Sequence, residues 1–284
     1  MSEVRWFSEA LEGRTAFSVR ITGKPFEGMS DFQLIEVFQS EAMGRFLVLD
    51  HCFMVTEKDH FIYHEMLVHP AMAVAQDPRR VLVIGGGDGG AVTEAAKYPD
   101  LESITLCEID PMVVRVCRDY FPSVSAGLDD PRVEVINGDG AAFVRESKKK
   151  YDVILVDSTD PIGPGTALYE TSFYESIRQC LTPGGVAVFQ TENPLFMEDV
   201  FSMAVWDLAD VFGRDRVRPF LATIPSYPGG LWSFTMCSAD RDPLQTAPRE
   251  VSPEVGKKLL YYSTEVHRGA FALPVFVKNL LSER

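Results

Sequence analysis

The pattern of apolar and polar positions changes character near residue 80. Before it, "TAFSVRITG", "DFQLIEVFQS" and "RFLVLDHCFMVT" are short runs of β-branched and aromatic residues, split by Gly, Pro and Ser-Asp turns. That pattern predicts strands, and no long helical period interrupts them. "EKDHFIYHEMLVHPAMAVA" then takes helical spacing, with Phe61, Met66 and Leu67 recurring and Tyr63 and Val68 between them. "DPRR" closes that segment.

From Arg80 onward, short apolar runs alternate with helical ones. The strands are "RRVLVIGGG", "SITLCEID", "RVEVINGDG", "YDVILVDS" and "GGVAVFQTE". The helices are "AVTEAAKYP", "PMVVRVCRDYF", "AAFVRES", "TSFYESIRQCL" and "MEDVFSMAVWDLADVF". Pro111 suits a first helical position, and Ser172 with Glu175 has the spacing of a capping box. Such alternation, with strands apolar on both faces, predicts a parallel sheet wound on both sides. "RVRPFLATIP" and "GLWSFTMCSA" then flank "SYPGG", an antiparallel hairpin. A hairpin ending a parallel sheet differs from the ordinary dinucleotide fold. The expected division is a small N-terminal β-rich domain over 1–56 and a Rossmann-like α/β domain over 57–284.

A chain of 284 residues is long enough for that pair of domains and a sizeable core. The net charge of −14 argues against nucleic acid as a partner, because phosphate binding needs clustered Lys and Arg. The basic run Lys148-Lys149-Lys150 reads as a solvated loop between a helix and a strand. No apolar run approaches the roughly 18 residues of a membrane span. The N-terminus lacks the layout of a signal peptide, so the expected location is cytoplasmic, with no membrane partner. Five scattered cysteines without a CxxC pair read as buried thiols, not as a disulfide frame or zinc site. No metal is expected.

In open α/β sheets, ligands bind beyond the carboxyl ends of the strands. Each of the first four ends here carries an acid: Asp88 in "GGGDGG", Glu108 and Asp110 in "CEID", Asp139 in "NGDG", and Asp157 and Asp160 in "DSTD". Asp88 would repel a pyrophosphate at contact range by several kcal/mol at an effective dielectric near ~20. It also fits a simple turn in which it caps the next helix. Glu108, about 20 residues beyond the loop, stands where an acid takes ribose hydroxyls, and its plainer reading is a surface acid. Asp139 suits an adenine amino group, and equally an Asx turn. Together these sites describe an adenosine that carries a cation and no phosphates, as adenosylsulfonium compounds do. An alkyl group on a sulfonium is already activated, so Asp157 and Asp160 are left to bind an ammonium and take its proton. Alone, they would read more simply as a strand-end acid and an Asp-Pro turn.

The chain resembles the polyamine aminopropyltransferases. The resemblance rests on "FIYHEML", "VLVIGGGDGG", "CEID", "GDG", "VDSTDPIGP", "TIPSYPGGLWSF" and "YYSTEVHRGAFALP", in that order over nearly the whole length. It implies a methyltransferase-type Rossmann domain behind an N-terminal β-domain. It also implies aminopropyl transfer from decarboxylated S-adenosylmethionine to putrescine, giving spermidine and methylthioadenosine. The donor is then a co-substrate, and no cofactor is expected. By position, Asp88 would hold the amino end of the donor, Glu108 its ribose and Asp139 its adenine, with Gln33 assisting. Asp157 would be the base, with Asp160 beside it. Tyr63, Gln190 and Tyr227 would line the amine channel, and His64, which matches the "YHEM" form of bacterial members, would bind on the amine side with them, or else be a core or surface histidine. Asp88 would also disfavour S-adenosylmethionine, whose carboxylate it would repel. A homodimer or homotetramer is the family tendency.

His51, Gly165 and Tyr169 depart from the residues common in the family at their positions. Trp6 and Trp232 are further candidates to wall the amine channel, or else core. Two other readings share the fold: a small-molecule methyltransferase and a catalytically idle binding module. The acid in the glycine loop and the "DSTD" pair speak against the first. The complete set of Asp157, Tyr63, Gln190 and Tyr227 speaks against the second.

Overall fold

The computed structural model describes residues 4–11, 15–159, 163–245 and 247–282, so Asp160 lies outside the described residues. At the N-terminus, β1 (Arg5–Leu11) and β2 (Thr15–Ile21) form an antiparallel pair. β3 (Gly23–Met29), β4 (Leu34–Ser40), β5 (Gly44–Leu49) and β6 (Cys52–Thr56) follow as a four-stranded antiparallel sheet in sequence order. The three apolar runs are β2, β4 and the β5–β6 hairpin. β1 and β3 carry no comparable signal. β1 buries Glu9 on the same face as Phe7, which breaks the apolar alternation. β3 holds Pro25 at a register shift and occupies the edge of its sheet, where a missing N–H is tolerated. Phe7, Phe38, Phe46 and Phe53 pack between the two sheets, with centroid separations such as 5.0 Å for Phe7–Phe38 and 4.8 Å for Phe46–Phe53.

The hairpin turn is Asp50-His51, with φ of 45° and 71°. Two positive φ values define the turn type that matches strand twist, and glycine is favoured there. His51 therefore holds a conformation that costs an L-residue about 1 kcal/mol or more.

The larger domain begins with α1 (His60–Val74). Its period is helical as expected, but the helix is buried all round: all its residues from Ile62 to Val74 are buried. The chain then runs β7 (Arg80–Gly85), α2 (Gly90–Ala96), β8 (Ser103–Glu108), α3 (Pro111–Tyr120), β9 (Val133–Asn137), α4 (Gly140–Glu146) and β10 (Tyr151–Asp157). α5 (Thr171–Cys180), β11 (Leu181–Gln190), α6 (Glu198–Phe212), β12 (Val217–Thr223) and β13 (Leu231–Ser238) complete the sheet region. α7 (Pro253–Gly256), α8 (Thr264–Ala270) and α9 (Val275–Ser282) follow it.

The sheet order is β12-β13-β11-β10-β7-β8-β9. β7 to β11 are parallel, and β13 pairs antiparallel with β11 and with β12, so the hairpin closes the sheet as predicted. Two apolar clusters fill the two faces of this sheet. Val153, Ile154 and Leu155 of β10 are fully buried, and such burial stabilises by about 1.5–3 kcal/mol per side chain relative to exposure. Pro111 does open α3 at its first turn, after Asp110 as N-cap. The capping box does not form: the N-cap of α5 is Glu170, and the Ser172 hydroxyl donates back to its carboxylate. Strand order reverses between β7 and β10, and such a switch point opens a crevice at the carboxyl ends. Among the described residues, no helix is long and apolar enough to cross a membrane.

Candidate active site

A cavity of about 360 Å³ opens beyond the carboxyl ends of β7 to β10 and is walled on its other side by β5 and β6. Gln33, Asp88, Glu108 and Asp139 line it, and so do Tyr63, Asp157, Gln190 and Tyr227. Trp232 is also part of its wall, whereas Trp6 is 58% exposed on β1 and does not line it. Trp6 sits on an outer position of a two-stranded pair, which removes it from the channel.

The glycine loop sets the geometry. At Gly86, with φ of 66°, a Cβ would lie 2.7 Å from Asp157 Oδ2, so the loop passes directly against the tip of β10. At Gly90 a Cβ would lie 2.1–2.4 Å from three atoms of the His64 ring. The imidazole occupies the space a side chain would need, which ties "YHEM" to "GGGDGG".

Glu108, buried at the tip of β8, accepts from the Gly87 amide at Oε2 (3.1 Å) and the Asp110 amide at Oε1 (2.8 Å). Burial pushes its carboxyl up to about 7, despite those two bonds. Asp139 is the N-cap of α4 and accepts from the Ala141 and Ala142 amides through Oδ1. Gln33 Nε2 donates to Asp110 Oδ2 at 3.0 Å, and the Ser30 hydroxyl donates to the same oxygen at 2.6 Å. These bonds fasten the loop before β4 to the start of α3.

Asp157 ends β10. The Tyr63 hydroxyl donates to its Oδ1 at 2.5 Å, while Oδ2 is buried with no hydrogen-bond partner among the described residues. Burial, then the charge of Asp88, pushes the Asp157 carboxyl up to about 6, against the opposing pull of His64 and Tyr63. Tyr63 is itself driven well above the usual phenol range by burial, so its hydroxyl stays a donor.

Asp88 accepts from the Gly90 amide at 2.6 Å through Oδ1, as a turn residue would, and meets His64 Nε2 at 3.3 Å through Oδ2. His64 does not line the cavity. It is 2% exposed and stands behind Asp88, on the side assigned to the donor. Burial works to lower its pKa, but the charge of Asp88 and the bond to it, with Asp157 and Glu94 behind, raise it to about 9. His64, Asp88 and Asp157 offer ligand atoms within 4.8 Å of one another. Two carboxylates and one imidazolium sum to a single negative charge, which favours a cationic ligand here.

Gln190 is held at both ends. Nε2 donates to the Tyr169 hydroxyl (2.8 Å) and to the Ser158 carbonyl (3.1 Å), while Oε1 accepts from the Glu192 amide (3.0 Å). The Tyr169 hydroxyl thus ties the segment after β10 to β11. Tyr227 donates to the Met54 carbonyl at 2.8 Å, and its ring packs on Trp232 and Tyr63 at 4.6 and 5.7 Å.

Glu192 and Glu9 are among the wall residues absent from the sequence-based set. Glu192 follows β11, is 2% exposed and has φ of 67°. It stands just beyond the carboxyl end of the fifth parallel strand, the same kind of position as the four strand-end acids before it. Glu9 reaches the cavity from β1 and accepts from the Phe53 amide at 2.7 Å. No local pattern marks it, because the fold alone carries β1 to the site.

The model of the spermine/spermidine synthase domain matches residues 60–246, and that of the spermidine synthase tetramerisation domain matches 5–57. A polyamine aminopropyltransferase of Clostridium perfringens is 45% identical over 278 residues, covering 97% of each chain. One from a Thermoanaerobacter species is 40% identical over 280 residues, covering 98% of this chain and 99% of its own. A spermidine synthase solved with the transition-state analogue AdoDATO superposes with a TM-score of 0.92 at 37% identity, covering 100% of this chain and 98% of the other. The spermidine synthase of Thermotoga maritima does so with 0.89 at 36% identity, covering 100% and 97%.

Proposed function

The chain belongs to the polyamine aminopropyltransferase family, and from that premise we propose that it is a spermidine synthase. It moves an aminopropyl group from decarboxylated S-adenosylmethionine to putrescine, releasing methylthioadenosine. The observation that carries this reading is the buried, net-negative cluster at the tips of β7 and β10, with Asp157 Oδ2 lacking a hydrogen-bond partner among the described residues and lying beside a phosphate-hostile loop. The superposed spermidine synthase holds a transition-state analogue, AdoDATO, and its likeness to this chain supports the same reading.

In this reading, Glu108 takes the ribose hydroxyls and Asp139 the adenine amino group, with Gln33 bracing the donor side through Asp110. Asp88 holds the ammonium of the donor. Tyr63, Tyr227 and Gln190 shape the channel of the acceptor, and Asp160, close after Asp157 in sequence, is assigned to its ammonium. Putrescine arrives as an ammonium, which cannot attack. Asp157, ionised above about pH 6, binds that ammonium and takes one proton. The freed nitrogen lone pair attacks the propyl carbon bonded to sulfur. The carbon–sulfur bond breaks, and its electron pair neutralises the sulfonium. The product nitrogen is a secondary ammonium, and the proton on Asp157 passes to solvent. The sulfonium supplies the activation, so the reading needs no cofactor or metal.

We also read 1–56 as the assembly domain and 57–284 as the catalytic domain of a cytoplasmic homodimer or homotetramer. Exposed Trp6 on the N-terminal strand pair, with exposed Val4 just before it, supports that assignment. The activity is tested by supplying decarboxylated S-adenosylmethionine with putrescine, cadaverine, agmatine or spermidine and weighing the products. Methylthioadenosine with spermidine as the favoured product is expected. Methyl transfer from S-adenosylmethionine, or tight nucleoside binding without turnover, would overturn the reading.

A further inference from the structure

We propose that His64 carries the counter-charge of the empty site and surrenders it as a proton when the ammonium of the donor enters. The inference rests on the proposed function, because it needs a cationic donor at Asp88. His64 acts through Asp88 and is a positioning residue, not a catalytic one.

The geometry leaves the ring no other response. Its Nε2 faces Asp88 Oδ2 at 3.3 Å, and its other face lies on Gly90 where a Cβ would sit. A buried imidazole wedged in this way cannot swing aside to make room for a second positive charge. The groups facing it set its charge. Asp88 comes from the glycine loop, Glu94 from α2 and Asp157 from β10, all acids. Tyr63 and His60 come from α1 itself, with ring centroids 5.4 and 5.6 Å away. Burial and the neighbouring His64 hold His60 down at about 4, so His60 is neutral near pH 7. With a value of about 9, His64 is then the imidazolium of the pair.

An ammonium held by Asp88 supplies the same charge at the same place. Two cations then crowd the single carboxylate of Asp88, and the imidazolium is the one that can neutralise itself in place. Its Nδ1 is buried with no hydrogen-bond partner among the described residues. The Nδ1–H bond breaks and leaves its electron pair on nitrogen. Nε2 keeps its hydrogen and its bond to Asp88, and the proton passes to the buffer.

The test is calorimetric titration of the full-length protein at pH 7.5 in buffers of different ionisation enthalpy. Decarboxylated S-adenosylmethionine is compared with methylthioadenosine, which has the same nucleoside and no ammonium. About one more proton should be released by the first than by the second. Any proton from Glu108 is common to both ligands, and Asp157, at about 6, holds little proton at this pH. Affinity for the decarboxylated donor should rise about tenfold per pH unit between pH 7 and 8.5. In His64→Gln both the extra proton and the pH slope should vanish, while methylthioadenosine binds as before. Equal proton release by the two ligands, or an unchanged slope in His64→Gln, would overturn the inference and leave the proposed function standing. Failure of the decarboxylated donor to bind at all would overturn both.

Discussion

Tyr63→Phe removes one hydroxyl and tests how Asp157 is kept ionised. In the native protein that hydroxyl is the donor to Asp157 Oδ1, at 2.5 Å, and Oδ2 has no partner among the described residues. Losing a hydrogen bond to a charged group costs about 1.5–3 kcal/mol. At about 1.4 kcal/mol per pKa unit, the Asp157 carboxyl moves up by about one to two units. From about 6 it would reach about 7–8. A base must be ionised to act, so its activity rises with pH through its pKa. At pH 7 the native carboxyl is about nine-tenths ionised, and the variant only about half to a tenth. Turnover at pH 7 should therefore fall roughly two- to tenfold and recover as pH rises to 9. The assay follows methylthioadenosine formation at saturating substrates from pH 5 to 9.5, as the ratio of variant to native rate. The titration of the amine is common to both enzymes and cancels in that ratio. An unchanged midpoint, or a deficit that persists at pH 9, would refute the argument and reduce Tyr63 to packing.

Asp157→Asn should abolish turnover, retain methylthioadenosine binding and raise stability. The carboxyl is held near 6 in the folded protein against 3.8 as its ordinary value, so its ionised form destabilises the fold by about 3 kcal/mol. The gain should be present above pH 6 and fade as pH falls toward 4; a melting temperature unchanged or lowered at pH 7.5 would contradict it. Gly90→Ala should cost about 1–3 kcal/mol or more and weaken donor binding, because its Cβ overlaps the His64 ring. Gly138→Ala, whose Cβ meets nothing within 4 Å, should do neither. Thermal unfolding and donor titration on the pair would expose equal effects, which would sink the steric account.

The sheet region of the larger domain was legible because each buried strand is a short apolar run and each covering helix keeps its own period. The acids at the strand ends were legible for the same reason, since strand direction fixes which residues face the crevice. The helix α1 was legible as a helix and no further. Its polar residues are buried with separate tasks: Tyr63 on Asp157, His64 on Asp88, Glu65 on the Leu260 to Tyr262 amides and His69 on Glu94. No periodicity can show this, because a helix enclosed on every side has no solvent face.

What the amino-acid order determined by itself is local: runs, turns, and an acid at each carboxyl end. Only the tertiary structure decided which of those acids share a charge. Asp88 and Asp157 lie far apart in sequence, yet the close passage of Gly86 brings their carboxylates together, and the wedge at Gly90 sets His64 behind them. Glu9 enters from the first strand in the same way. Charge interaction depends on distance and burial, and neither is a property of sequence neighbours. The sequence therefore named the acids, and the packing gave them their protons.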